Sequence, residues 1–201
     1  MASAVQRGLE RLYRIDRIAD VHDFLEVAEP GERETLFVRE CEDGAIEMSL
    51  RLPPLARPEF DVTEGDIDPL CQLIEGVSHF VYLAERARVD REATQLEMEL
   101  QAEVDKYVVL AASVGQIDGL TLRRSEALRG RLFESVSFDH EPGSVLGDRY
   151  RMANDLAAKF VRRLEREFVA KGRYRELRAQ LRSFFHAGQE EKLRFSVGRE
   201  A

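Results

Sequence analysis

The sequence lacks most of the features that would tie it to a particular chemistry. Its two cysteines, Cys41 and Cys71, lie in different predicted elements and form no CxxC pair, which excludes a zinc knuckle and a dithiol redox motif. No P-loop, GxGxxG, GxSxG or HExxH pattern occurs. Nothing therefore indicates a phosphate-binding loop, a nucleophile elbow or a zinc-protease helix.

Long apolar runs and a secretory leader are missing as well. The longest apolar stretches, such as 107–112, fall far short of the ~20 residues that a membrane-spanning helix needs. The first seven residues become charged without an apolar stretch, and Glu10 and Asp16 interrupt the early arginines, which disfavours a transit peptide. With so few cysteines, these absences predict a cytoplasmic protein that does not insert into membranes.

The composition that remains is that of a globular protein. Hydrophobic residues make up 44% of the chain and charged residues 34%, a balance that excludes a disordered chain. A chain of 201 residues can bury a core without disulfides or metals, so we predict a single domain over 1–201. Within it we predict a helix and a β-hairpin over 1–58 and a helical bundle over 65–201.

Charge is divided unevenly along the chain. The net charge is −8, but residues 149–201 hold 14 Lys or Arg against 7 Asp or Glu. This segment therefore carries +7 and the first 148 residues carry −15. An asymmetry of this kind is typical of a chain that uses charge to bind a partner.

One segment has the period of two that β-strands show. Residues 45–52 alternate apolar and polar side chains, residues 34–40 are rich in β-branched and aromatic side chains, and Asp43-Gly44 between them is a typical hairpin turn pair. Prolines 53, 54 and 58 then indicate an extended connector. Because two strands alone are only marginally stable, we expect the hairpin to pack on the helices or to join another sheet edge.

The rest of the chain has a helical period. Apolar residues recur every three or four positions, which predicts helices over 5–18, 67–88, 92–114, 120–136, 146–170 and 174–184, with a helical turn or two at 20–25 and a short helical tail. The link between 67–88 and 92–114 is short and predicts antiparallel neighbours. We therefore predict a mainly α fold, an antiparallel bundle of five to seven helices with one N-terminal β-hairpin packed on it.

Four polar residues on the two central helices are candidates for a site. Glu75 and His79 are four apart, as are Glu99 and Glu103 on the next helix, so each pair shares a helix face. If the helices are antiparallel with the turn near residue 90, Glu75 is level with Glu103 and His79 with Glu99. Glu103 also interrupts an apolar stripe, where a lone carboxylate is costly unless it is paired.

Two interpretations of this cluster stay open. Three carboxylates and an imidazole between helices can form a divalent-metal or acid–base centre. They can equally form a structural network of ion pairs and hydrogen bonds that fixes the helix register. Di-metal bundles draw Glu-x-x-His spacing from two helices, and this spacing does not occur here. The structural interpretation is therefore favoured, and we expect no cofactor unless the cluster binds a metal.

The C-terminal helices carry a basic face. Its candidate binding residues are Lys159, Arg162, Arg163, Arg166, Arg173, Arg175, Arg178 and Arg182. Clustered cations of this kind bind nucleic-acid phosphates. Acidic residues such as Glu165 and Glu176 interrupt the face, however, and the chain as a whole is acidic. A protein partner, or a second copy of the chain, that carries complementary charge fits at least as well.

Three functional hypotheses follow. The leading one is a non-enzymatic binding or regulatory module that engages a protein partner or itself through its charge-segregated helical surface. The second is a metal-dependent or acid–base enzyme with the Glu/His cluster as its site. The third is nucleic-acid binding through the basic C-terminal helices.

Overall fold

The computed structural model describes residues 1–42, 46–53, 66–113 and 117–198. Contacts divide the chain into two compact units, unit 1 (Met1–Ala93) and unit 2 (Thr94–Ala201), which are described separately. The described residues form seven α-helices and one three-stranded sheet. This confirms the predicted mainly α class. No helix among the described residues is long and apolar enough to cross a membrane.

Unit 1 contains two helices, α1 (Ala2–Tyr13) and α2 (Asp68–Arg88), which pack against each other. One face of α1 is apolar at helical spacing, and it buries Val5, Leu9 and Tyr13. α1 ends earlier than the predicted residue 18, because Arg14 takes a left-handed conformation and its backbone N–H bonds to the Glu10 carbonyl. A proline in the first turn starts α2, where its missing N–H costs nothing.

The sheet of unit 1 is built from β1 (Leu25–Val27), β2 (Thr35–Glu40) and β3 (Ile46–Leu52), in the order β1-β3-β2. β2 and β3 are the predicted hairpin strands and pair antiparallel. The predicted turn at Asp43-Gly44 and the connector prolines 54 and 58 lie outside the described residues. Leu50 of β3 is fully buried, and Gly76 of α2 allows it to approach the helix closely.

β1 is a third strand that the sequence did not predict. Residues 20–25 were expected to be helical; they form a 3₁₀ turn at Val21–Phe24, and the chain then becomes a strand. β1 has three residues and pairs parallel with β3, so that Leu25 lies opposite Leu50. Three residues are too few to show a period of two, and the partner strand is distant in sequence. Sequence periodicity therefore could not reveal it.

Unit 2 is helical and is centred on α5. Its helices are α3 (Gln95–Ser113), α4 (Leu122–Arg129), α5 (Val145–Glu167), α6 (Tyr174–His186) and α7 (Gln189–Val197). α3, α4 and α7 each pack on α5. The α5 face at Ala153, Ala157, Phe160 and Leu164 is fully buried, as its apolar stripe predicts.

Local hydrogen bonding sets the ends of these helices. α3 begins at Gln95 rather than at residue 92, because the Thr94 hydroxyl caps it by accepting from the Glu97 N–H at 3.1 Å. The predicted helix 120–136 is α4 followed by a π-helical turn at Gly130–Glu134. The boundary between the two units falls between α2 and α3, and the predicted subregions 1–58 and 65–201 stay predictions. The prediction of a single domain stays a prediction.

Candidate functional site

The four residues of the predicted Glu/His cluster belong to different units. Glu75 is buried in α2 of unit 1, and His79, one helical turn later, is half-buried. Glu99 and Glu103 lie one turn apart on α3 of unit 2. The prediction that the four side chains form one metal or acid–base site stays a prediction.

Both carboxylates on α3 have basic neighbours within unit 2. Lys106 Nζ lies 2.7 Å from the Glu103 carboxylate, one turn along the same helix. Arg149 Nε, from α5, lies 3.7 Å from the Glu99 carboxylate. A buried carboxylate needs such a partner to offset the loss of hydration. These ion pairs are what the structural interpretation of the cluster expects.

Four of the eight predicted basic residues line one open groove of about 380 Å³, which we call the basic groove. One wall comes from α5 and the other from the end of α7, and the lining residues are Lys159, Arg162, Arg163, Arg166, Ser196, Val197 and Gly198. The four cations are spaced i, i+3, i+4 and i+7, so they share one face of α5. The helical period places them together, and the packing of α7 turns this face into a groove.

Aromatic side chains beneath the basic groove hold α7 in place. Phe160 of α5 stacks on Phe184 of α6, with ring centroids 4.3 Å apart. Phe195 of α7 meets both rings edge-on, at 6.3 and 6.0 Å. Aromatic pairs at such distances stabilise the fold beyond the effect of the apolar area that they bury, and they prefer particular ring orientations. The cluster therefore fixes the α7 wall of the groove relative to α5.

Arg163 sits above this aromatic cluster. Its guanidinium carbon lies 5.3 Å from the centre of the Phe160 ring and 5.8 Å from that of Phe195. Burial lowers the pKa of Arg163, and the nearby Glu167 carboxylate partly opposes this effect. Its Nε and Nη2 atoms are buried and have no hydrogen-bond partner among the described residues. An arginine stays protonated in proteins. The Nε–H and Nη2–H groups of Arg163 are therefore donors of a cation for which no described residue supplies an acceptor.

The other three cations of the groove are exposed and have acidic partners. Lys159 Nζ lies 2.6 Å from Asp155, and Arg166 lies 3.3 Å from Glu167. Arg162 reaches Glu134 of the π-helical turn at 3.5 Å. Exposed ion pairs of this kind contribute about 0–1 kcal/mol. A ligand carboxylate can therefore compete with them at little cost.

The remaining four predicted residues do not line the groove. They belong to α6 and its start, where Arg173 pairs with Glu176 at 3.2 Å and Arg178 pairs with Asp118. Arg175 is exposed and Arg182 is half-buried. The predicted face of eight basic residues is thus divided: α5 presents four cations to a concave site, and the α6 cations lie elsewhere on unit 2.

Sequence reasoning missed the α7 side of the groove. Ser196, Val197 and Gly198 were part of a tail that was expected to be helical but had no predicted role. Phe195, which supports Arg163, was also missed. The tail has apolar side chains at 193, 195 and 197, and this short pattern does not identify a packing partner.

No protein-family model, no curated protein and no solved structure matches the chain.

Proposed function

We propose that this protein is a non-enzymatic binding module whose basic groove binds an acidic segment of a partner protein. The observation that carries the proposal is a half-buried cation that lines the groove: Arg163 has two buried N–H donors that no described residue satisfies. Buried donors are usually paired, so an acceptor from outside the chain would complete this site.

The size of the groove supports a short acidic segment. Lys159 and Arg166 are seven residues apart on α5, which corresponds to about 10 Å of helix. This length accommodates one or two charged groups of a ligand. A peptide that carries two neighbouring acidic side chains fits the dimension and the sign of the charge.

Local charge compensation favours protein over nucleic acid. Three of the four groove cations already have a carboxylate within 3.5 Å. Proteins that bind nucleic acid by charge neutralise a row of phosphates with uncompensated Lys and Arg, and their binding domains are usually strongly basic.

Fluorescence anisotropy with the full chain tests the proposal. The probe is a labelled peptide of alternating Glu and Ser, compared with the same peptide in which Gln replaces every Glu. We expect the Glu peptide to bind and the Gln peptide not to bind. The variant R162Q/R166Q should weaken binding by about tenfold, since it removes two charged contacts.

The variant R173Q/R175Q is the matched control, because it removes two arginines of unit 2 that do not line the groove. It should change the affinity less than twofold. Equal binding of the Glu and Gln peptides would overturn the proposal. So would tighter binding of a labelled single-stranded RNA of equal length, with an affinity that falls steeply as salt is added.

A further inference from the structure

We infer that Arg163 is the specificity-determining residue of the basic groove and binds one carboxylate through its Nε and Nη2 donors. The inference rests on the proposed function, because it assigns the ligand chemistry of the same groove. It adds that one residue makes the groove bind a carboxylate in preference to other anions.

The geometry of the guanidinium supports this assignment. Nε–H and one N–H of Nη2 lie along the same edge of the planar group and point in parallel directions. The two oxygens of a carboxylate match this edge and accept both hydrogen bonds at once. In Arg163 these two atoms are the ones that have no acceptor among the described residues.

Aromatic contacts position the guanidinium for such an interaction. Phe160 and Phe195 lie within 6 Å of it and interact with its cation through their rings. Contacts of this kind restrain a long side chain and leave its hydrogen-bonding edges available to other groups. Arg163 is therefore held in the groove by rings that cannot accept its edge-on hydrogen bonds.

The charge around Arg163 favours a carboxylate over a phosphate group. Lys159, Arg162 and Arg166 each lie near an acidic side chain, so the groove has about one uncompensated positive charge. A carboxylate carries one negative charge, whereas a phosphate monoester carries about −1.5 to −2. The carboxylate belongs to an Asp or Glu side chain or to the C-terminus of a partner chain, which offer the same chemistry.

The substitution Arg163→Lys tests the inference in the full chain. Lysine keeps the positive charge but has no planar edge with two parallel donors. We expect R163K to weaken binding of the Glu/Ser peptide by about tenfold. The matched control R175K makes the same exchange at an exposed arginine of α6 that does not line the groove, and it should change the affinity less than twofold.

Peptide variants identify the source of the carboxylate. Replacing one Glu at a time by Gln should reveal a single position whose loss lowers affinity as much as R163K does, and R163K should then be insensitive to that replacement. If only amidation of the peptide C-terminus has this effect, the bound group is a chain terminus. Either result supports the inference.

A spectroscopic measurement on the unsubstituted chain does not depend on the folding of a variant. The Arg163 Nε–H resonance, assigned by its absence from R163K, should shift when the peptide is added and should exchange more slowly with water. If the peptide does not bind at all, the proposed function is wrong. If it binds and R162Q/R166Q weakens it, but R163K and the Nε–H resonance are unaffected, only the present inference is wrong.

Discussion

A buried chain of hydrogen bonds joins three helices of unit 2 through single residues. The Tyr107 hydroxyl and Ser125 Oγ are 2.6 Å apart, and Ser125 Oγ donates to Glu165 at 2.7 Å. The other Glu165 oxygen accepts from Arg129 Nε at 2.8 Å. Tyr107 and Ser125 are fully buried, and Glu165 nearly so. Except at Arg129, these hydrogen-bonded groups are buried, and they satisfy one another, so the network fixes α3, α4 and α5 together.

Removing the central hydroxyl should destabilise this network. Ser125→Ala leaves the Tyr107 hydroxyl and one Glu165 oxygen buried without their partner, so we expect the free energy of unfolding to fall by about 1–3 kcal/mol. Urea denaturation at pH 7 measures the change. The control Ser183→Ala alters an exposed serine of α6 and should stay within about 0.5 kcal/mol of the wild type. If Ser125→Ala leaves the free energy of unfolding unchanged, the network does not stabilise the protein.

Alkaline pH should act on the same network through Tyr107. Burial raises the pKa of the Tyr107 hydroxyl well above its ordinary value, and the hydrogen bond to Ser125 partly opposes this. The folded state therefore holds the phenol proton more tightly than the unfolded state does. This contribution is fully present below about pH 10, the unfolded pKa, and is lost above it, by up to about 1.4 kcal/mol per pH unit.

Tyr107→Phe removes the titrating group and should reduce this alkaline fall in the free energy of unfolding. Urea denaturation of both proteins at pH 8, 10 and 11 makes the comparison. The difference between them should shrink by only about 0.4 kcal/mol from pH 8 to pH 10 and by about 1.4 kcal/mol at pH 11. A difference that stays constant up to pH 11 would contradict the assignment.

At the scale of elements, the start of α5 depends on a glycine. The Ser144 hydroxyl caps the helix by accepting from the Gly147 N–H at 3.0 Å and donates to the Glu141 carbonyl at 2.8 Å. A Cβ atom on Gly147 would lie 2.2 Å from that carbonyl oxygen. Because the neighbour is backbone, it cannot give way as a flexible side chain does.

We therefore expect Gly147→Ala to destabilise the protein by about 1–3 kcal/mol, although alanine is the better helix former. Gly8→Ala in α1 is the control, because no atom lies within 4 Å of the added methyl group. It should stabilise the protein by about 0.5–1 kcal/mol. Thermal and urea unfolding of both variants measure whether each substitution lowers or raises the free energy of unfolding. An increase in stability for both would show that the 141–147 loop adapts freely.

Elements with a long apolar period could be predicted, and elements defined by contacts could not. α2 and the buried face of α5 follow from stripes such as Leu70, Ile74 and Val77, because burial on one face needs the helical period. β1 has no such signal, since it exists only through its pairing with β3. The π-helical turn after α4 also follows a regular helical pattern, so periodicity alone could not predict its wider hydrogen-bond spacing.

The same distinction applies to the basic groove. Spacing alone placed Lys159, Arg162, Arg163 and Arg166 on one face of α5, since the four share one helix. Spacing could not show that α7 borders this face or that Arg163 lies over Phe195. Spacing also could not show that the arginines of α6 do not line the groove. Contacts between elements that are distant in sequence decide these points.

At the scale of the whole molecule, the net charge of −8 opposes the local charge of the basic groove. The distance over which a charge acts in solution is about 30 Å at 0.01 M salt and about 8 Å at 0.15 M. At low salt, an approaching acidic peptide therefore experiences the charge of the whole chain. At physiological salt it experiences mainly the cations that it is about to contact.

This difference predicts an unusual salt dependence for the proposed acidic ligand. Raising the salt concentration from 0.01 to 0.15 M should screen the repulsion by the net negative charge and increase the association rate constant by about threefold. The dissociation rate constant should rise as well, because the contacts in the groove are themselves weakened. Stopped-flow anisotropy with the Glu/Ser peptide separates the two rates. A Lys/Ser peptide of equal length should show an association rate, if any, that falls with salt. If the association rate constant of the Glu peptide falls steeply over the same range, the prediction is wrong. The cations of the groove, and not the net negative charge, would then dominate the electrostatic potential at long range.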